Sequence, residues 1–175
     1  RAGIVLPDGS LTGDGVKQRV REKLLRDCNL HTIIRLPNSV FQPYATVATN
    51  LLFFDKKVGQ SSNPENKGSD SFATKEVWYY EHRMPEGQKA YSKTKPIQAK
   101  EFDSIKEWWN NRTESEVAWR VPIQTIIDRG YDLDIKNPTK PEEEKEYTST
   151  ELMEMLQASF EKSNHLLDQL KQAVK

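Results

Sequence analysis

Short apolar runs punctuated by turn-forming residues fill the first third of the chain. Ala2–Leu6 is closed by Pro7-Asp8-Gly9, a signal that ends a strand of the buried type. Thr12 or Asp14 can cap the helix that follows, and its buried stripe is expected at Val16, Val20, Leu24 and Cys28, four residues apart. Thr32–Leu36 reads as a second strand, rich in β-branched residues, and it also runs into a proline. Asn50–Phe54 reads as a third, with no charge inside it, so both of its faces should be covered. The short loop between the second and third strands suits an antiparallel pair. The order strand, helix, strand, loop, strand fits the back half of an α/β nucleotide-type domain without its front half. The chain opens at Arg1 directly before a strand, with no Met and no leader, which suggests a piece of a longer protein.

The pattern then loosens. Val58–Thr74 is a mobile-type loop of Gly, Ser and Asn, and Glu76–Glu81 (EVWYYE) is a strand expected at the sheet edge. Phe102 to Trp109 forms a short helix with Asp103 as cap and Ile105, Trp108 and Trp109 as its apolar contacts. Val117–Val121 is a further strand. Pro122 starts a turn of helix through Ile123, Ile126 and Ile127, stopped by Gly130. A charged, Pro-bearing linker leads into one long helix from Ser149. Its residues Met153, Leu156, Phe160, Leu167, Leu170 and Val174 keep the 3-4 spacing of a heptad seam, interrupted at Ser163. A helix with one apolar seam needs a partner for it. Four segments result: 1–57, the end of an α/β domain; 58–138, an extra strand with loops and short helices; 139–148, a linker; and 149–175, an amphipathic assembly helix.

Charge adds a sidedness that the overall balance hides. Lys and Arg number 26, as do Asp and Glu, so no strong overall field favours nucleic acid. Residues 1–57 nevertheless carry nine Lys/Arg against five Asp/Glu, and residues 83–100 five against one. The single Cys28 cannot pair internally, which favours a reducing cytoplasm. It reads as a small buried side chain. No apolar run approaches the roughly 20 residues of a membrane span. His31, His82 and His165 share no metal-ligand spacing, so no metal site is expected. Gly9, Gly13 and Gly15 lack the arrangement of a phosphate loop. Asp8 stands where α/β enzymes place functional groups, yet Pro-Asp-Gly explains it equally well as a turn former.

Taken together, AGIVLPDGSL, REKLLRDCNLHTIIRLPNSVF, TNLLFFDK, WYYEHRMPEGQKAYSKTKPI and GYDLDIKNP resemble the adenine-N6 DNA methyltransferase (modification) subunit of type I restriction-modification enzymes, over roughly residues 1–138. The resemblance implies a seven-stranded class I methyltransferase (Rossmann-like) sheet, of which this chain supplies the last three strands. It implies S-adenosylmethionine as cofactor of the intact subunit. The partners it implies are a DNA-specificity subunit docked on the terminal helix, a nuclease-translocase restriction subunit and double-stranded DNA. The family's Gly-rich cofactor loop and its Asn-Pro-Pro-aromatic catalytic motif precede the matched segment. Asn137-Pro138-Thr139 lacks the second proline and the aromatic, so no catalytic residue is expected here, and the fragment alone should bind no cofactor and be inactive.

On the same resemblance, Phe41 occupies the aromatic position that faces an adenine flipped out of the duplex, with Tyr44 as second candidate. Chemistry on a base requires such extrusion and stacking. The plainer alternative is that Phe41 fills the space under its loop. Lys89, Lys93 and Lys95 could meet backbone phosphate, or be ordinary surface, as could Lys17, Arg19 and Arg21 on the outer face of the first helix. A rival view of the whole chain is a non-enzymatic assembly module acting through its terminal helix. The fragment is also expected to self-associate, because a cut sheet leaves its first strand unpaired on one side.

Overall fold

The computed structural model describes residues 1–56, 72–139 and 148–173. Five strands form one mixed sheet: β1 (Ala2–Pro7), β2 (Asn29–Leu36), β3 (Thr49–Asp55), β4 (Glu76–Glu81) and β5 (Ala118–Pro122), in the order β1-β3-β2-β4-β5. β3 lies antiparallel between β1 and β2, β4 runs parallel to β2, and β5 runs antiparallel to β4. The helices are α1 (Val16–Asp27), α2 (Asp103–Asn110), α3 (Ile123–Asp128) and α4 (Ser149–Ala173). Arg1–Lys140 forms one compact unit and Pro141–Lys175 a second.

Alternation along the strands divides the first unit into two cores. Leu30, Ile33, Leu52, Val77, Tyr79, Trp119 and Val121 point to one face, where Leu25 of α1 and Ile126 of α3 cover them. Ile34, Leu36, Tyr80 and Ala118 point to the other, under Ile105 of α2, with Trp108 and Trp109 packed alongside. Leu30 and Ile33 share a face although three residues apart. The register shift between Leu30 and Thr32 supplies the extra residue. Tyr79 stacks on Trp119 with ring centroids 5.3 Å apart and donates its hydroxyl to the Leu133 carbonyl at 3.0 Å, which brings the chain after α3 onto the sheet.

Several expectations change. Val16 and Val20 are exposed, at 66% and 62%, and the buried positions of α1 are Arg21 and Leu25. The cause is Arg21 itself, whose guanidinium donates to the carbonyls of Tyr131 (2.6 Å), Thr12 (2.8 Å) and Gly13 (2.6 Å) and turns the helix by one position. Arg21 is therefore not on an outer, DNA-facing surface. Neither Thr12 nor Asp14 caps α1; Gly15 holds that place at φ 72° without a side-chain bond. Asp103 does not cap α2, which continues from a 3-10 turn (Ala99–Phe102) opened by a reciprocal Gln98–Glu101 box. β4 is interior, flanked by β2 and β5, rather than an edge. β1 and β5 are the edges of the described sheet, and β1 is largely exposed rather than buried. Cys28 is free and half-buried.

The second unit is α4, opened by a capping box the chain pattern had not suggested: Glu151 N–H donates to Thr148 Oγ1 (3.3 Å), and Thr148 N–H donates to Glu151 Oε2 (2.8 Å). Met153, Leu156, Phe160 and Leu167 are exposed along it, as are Leu152 and Met155. The side chain of Leu170, the residue Val174, most of the 58–74 loop and most of the 139–148 linker lie outside the described residues. Among the described residues no helix is long and apolar enough to cross a membrane.

Candidate functional site

β1, β2 and β4 run in the same direction, so their carboxyl ends gather at one edge of the sheet, where open α/β sheets place ligands. A cleft of about 410 Å³ opens there, lined among others by Asp8, Arg35, Asn50, His82 and Arg83. Asn50 is fully buried at the start of β3. Its Nδ2 donates to Asp8 Oδ1 at 2.5 Å, an acceptor that fixes the amide orientation, and its own Oδ1 has no partner among the described residues. Asp8 thus does more than shape a turn, since it holds a buried amide at the cleft. Arg35 is engaged elsewhere: it pairs with Asp134 and donates to the Ile135 carbonyl at 3.0 Å. Arg83 donates to the Glu116 carbonyl at 3.1 Å.

Pro37 ends β2 because it has no N–H to continue the ladder. The chain then folds through successive tight turns over 38–44, closed by Gln42 N–H to Ser39 O (3.0 Å) and Tyr44 N–H to Phe41 O (2.9 Å). Val40 packs into the second core and Ser39 is buried. Phe41 faces out at 43% exposure and Tyr44 at 88%. The space under the turn is therefore taken by Val40, and two aromatic rings are presented to solvent beside the cleft.

Lys89, Lys93 and Lys95 are exposed on the segment between β4 and α2. That segment meets the aromatic turn: Tyr91 N–H donates to Ser39 Oγ at 3.0 Å, and Ser39 Oγ–H lies 3.9 Å from Met84 Sδ. Beneath it runs a buried polar group that residue spacing had not disclosed. Tyr91 OH donates to Glu101 Oε2 at 2.5 Å and lies 3.0 Å from His82 Nε2, and the His82 ring stacks on Phe102 at 5.4 Å. Burial pushes the His82 pKa below its ordinary value, against the pull of Glu101. Burial would raise the pKa of Glu101, but the bonds from Tyr91 and the Gln98 amide outweigh it and hold the carboxyl below its ordinary value.

Among the described residues no group of three His, Cys, Asp or Glu could hold a metal ion. Nor does the glycine-bearing loop before α1 fit S-adenosylmethionine. Its Thr12 and Gly13 carbonyls turn inward onto Arg21, so the loop closes on a side chain of its own.

Residues 1–147 match the family model described as N-6 DNA Methylase. The chain is 49% identical over 149 residues to the EcoEI methylase subunit, a type I restriction enzyme component of Escherichia coli, covering 81% of this chain and 28% of the relative. It is 34% identical over 136 residues to the StySJI methylase subunit of Salmonella typhimurium, covering 67% and 24%. A modification subunit of a putative type I restriction enzyme from Vibrio vulnificus superposes with a TM-score of 0.66 at 41% identity, over 79% of this chain and 27% of that one. A chain from a structure of type I restriction-modification complex assembly and conformational transition gives 0.69 at 31% identity, over 98% and 35%. The chain spans about a quarter of the length of the curated relatives it matches. With most of its length matched by the family model and close to half of its aligned residues shared with a curated member, the chain belongs to the N-6 DNA methylase family.

Proposed function

We propose that this chain is the substrate side of the methylase subunit of a type I restriction-modification system, acting on an adenine extruded from double-stranded DNA. The observation that carries the reading is the outward display of Phe41 and Tyr44 on the turn beside the cleft, while Val40 takes the packing role. An extruded base loses its stacking in the duplex, and an aromatic face restores about 1–3 kcal/mol of it. In the intact subunit, S-adenosylmethionine bound by residues outside this chain would supply the methyl group for adenine N6. The residues of this chain would hold the base against one wall and keep water from that face. By itself the chain would be inactive. Lys89, Lys93 and Lys95, all exposed, would lie against backbone phosphate and add a salt-dependent, sequence-independent part of the affinity.

The exposed apolar side chains of α4 support a second role, docking on the specificity subunit, through which the restriction subunit would join; the open side of β1 would let the chain self-associate. Phe41→Ala in the full-length subunit tests the first role, and removal of residues after Pro138 tests the second. We expect Phe41→Ala to lower methylation about 5- to 150-fold with assembly intact, the range that 1–3 kcal/mol converts to. Full methylation by that variant would remove the stacking role. Unchanged binding of the truncated subunit to the specificity subunit would remove the docking role.

A further inference from the structure

A displayed aromatic is useful only if its turn is already held in the geometry that receives the base. The backbone bonds within residues 38–44 are local, so they shape the turn without fixing it to the sheet. Two of its side chains point inward. Val40 makes a non-directional contact with the second core, and Ser39, 2% exposed, makes a directional one. Ser39 Oγ accepts the Tyr91 N–H at 3.0 Å. Tyr91 is 1% exposed and is pinned at its far end by Glu101 and His82. The phenol has one proton and Glu101 takes it, so His82 Nε2 must carry the proton of the bond between them. His82 in turn is fastened to β2 by its N–H to the Arg35 carbonyl at 2.9 Å.

We propose that Ser39 and Tyr91 are positioning residues that lock the Phe41 turn to the sheet, and that they couple it to the lysine-bearing segment on which Tyr91 lies. The inference rests on the stacking role proposed for Phe41. A continuous chain of contacts runs from β2 through His82 and Tyr91 to Ser39, two residues before the displayed ring. Removing the Ser39 hydroxyl leaves a buried N–H without its acceptor and frees the turn, while the sheet and the exposed lysines stay as they are.

The test uses the full-length subunit in complex with its specificity subunit, with an adenine-bearing duplex for methylation and a second duplex carrying 2-aminopurine at the target position for base extrusion. Ser39→Ala is expected to lower methylation kcat about 2- to 12-fold, the range that the net contribution of one hydrogen bond, about 0.5–1.5 kcal/mol, converts to. The fluorescence of the extruded base should fall, and DNA affinity, set mainly by phosphate contacts, should stay within about twofold. The deciding comparison is a double-mutant cycle: in a Phe41→Ala background, Ser39→Ala should cost nothing further, because Ser39 acts through that ring. An equal loss in both backgrounds, with Phe41→Ala itself impaired, overturns the lock and leaves the stacking role standing. Wild-type methylation by Phe41→Ala overturns both. Should Ser39→Ala fail to fold, Tyr91→Phe keeps the N–H to Ser39 but unhooks the ring from Glu101 and His82, and the same cycle applies to it.

Discussion

Replacing Arg21 with Met should destabilise the first unit by about 2–4 kcal/mol, and the geometry shows why the figure is neither smaller nor larger. Arg21 is 5% exposed and makes three short bonds to carbonyls, at 2.6, 2.8 and 2.6 Å, with a weaker contact to the Ser10 carbonyl at 3.4 Å. Hydrogen bonds to a charged donor contribute about 1.5–3 kcal/mol each, so the gross loss is on the order of 5–9 kcal/mol. Two offsets reduce it. Burying the guanidinium is itself costly: burial pushes its pKa down, with Asp132 and Asp14 pulling the other way. Thr12 and Gly13 are also only partly covered, so water can satisfy their carbonyls once the guanidinium is gone. Tyr131 N–H remains tied to the Ile126 carbonyl at 2.8 Å, so the turn there keeps its local shape. The assay is urea unfolding of the 175-residue chain followed by tryptophan fluorescence, with amide exchange to locate the loss in residues 8–14 and 129–133. Arg21→Lys should recover little, because one ammonium cannot serve three diverging carbonyls. A loss below about 1 kcal/mol for Arg21→Met would refute the reasoning, since it would mean that those carbonyls gain nothing net from the guanidinium.

Two further outcomes are expected. Gly130 has φ of 65°, and an added Cβ would stand 3.3 Å from Gln18 Nε2, so Gly130→Ala should lower the melting temperature by about 3–6 °C, corresponding to roughly 1–2 kcal/mol; an unchanged melt would show that the turn yields freely. Stability should also fall between about pH 7 and pH 5.5, because burial holds the pKa of His82 below its ordinary value of 6.5, and burial together with Arg112 does the same for His31. The unfolded chain then takes up protons first as pH drops. Glu101, held below its ordinary carboxyl value, adds its own loss only at lower pH. His82→Gln should shrink the decline of the urea midpoint over that window, and an equal decline in both proteins would rule His82 out as a source.

The strands were legible because each is a short run of β-branched, apolar or aromatic residues, and β1, β2 and β5 also meet a proline at their ends. Glu76–Glu81 coincides with β4, and Thr32–Leu36 and Asn50–Phe54 lie inside β2 and β3. What the pattern could not disclose were facts set by partners distant in the chain. The buried face of α1 turns on Arg21 meeting Tyr131, 110 residues away. β4 carries aromatic rings on both faces, Tyr79 in one core and Tyr80 in the other, which is the mark of an inner strand, yet nothing local indicates its parallel pairing with β2. β1 reads as buried only if an apolar run is assumed to be covered on both sides, and its outer side has no strand among the described residues. At the candidate site, Phe41 and Tyr44 were found through resemblance rather than spacing. Ser39, His82, Tyr91 and Glu101 follow no period at all, so only the folded arrangement reveals them.

The exposed apolar surfaces differ in kind, and the difference decides what can cover them. Ile4 and Val5 stand on an edge strand, at 37% and 56% exposure, where unpaired N–H and C=O groups demand a partner strand in register. The α4 seam makes no such demand. Its backbone is internally bonded, and Met153, Leu156, Phe160 and Leu167 ask only for a complementary apolar ridge. Most of the stability of a helix in a protein comes from packing of its apolar face, and the Thr148–Glu151 box at the start of this 25-residue helix adds only a local contribution. Burying a side chain of this kind contributes about 1.5–3 kcal/mol, so covering three or four would outweigh what the helix lacks. If α4 docks as proposed, helix formation and docking would be coupled and the order of α4 would rise with its partner, while the edge strand, held by β3 on its inner side, would keep its shape whether or not anything pairs with it.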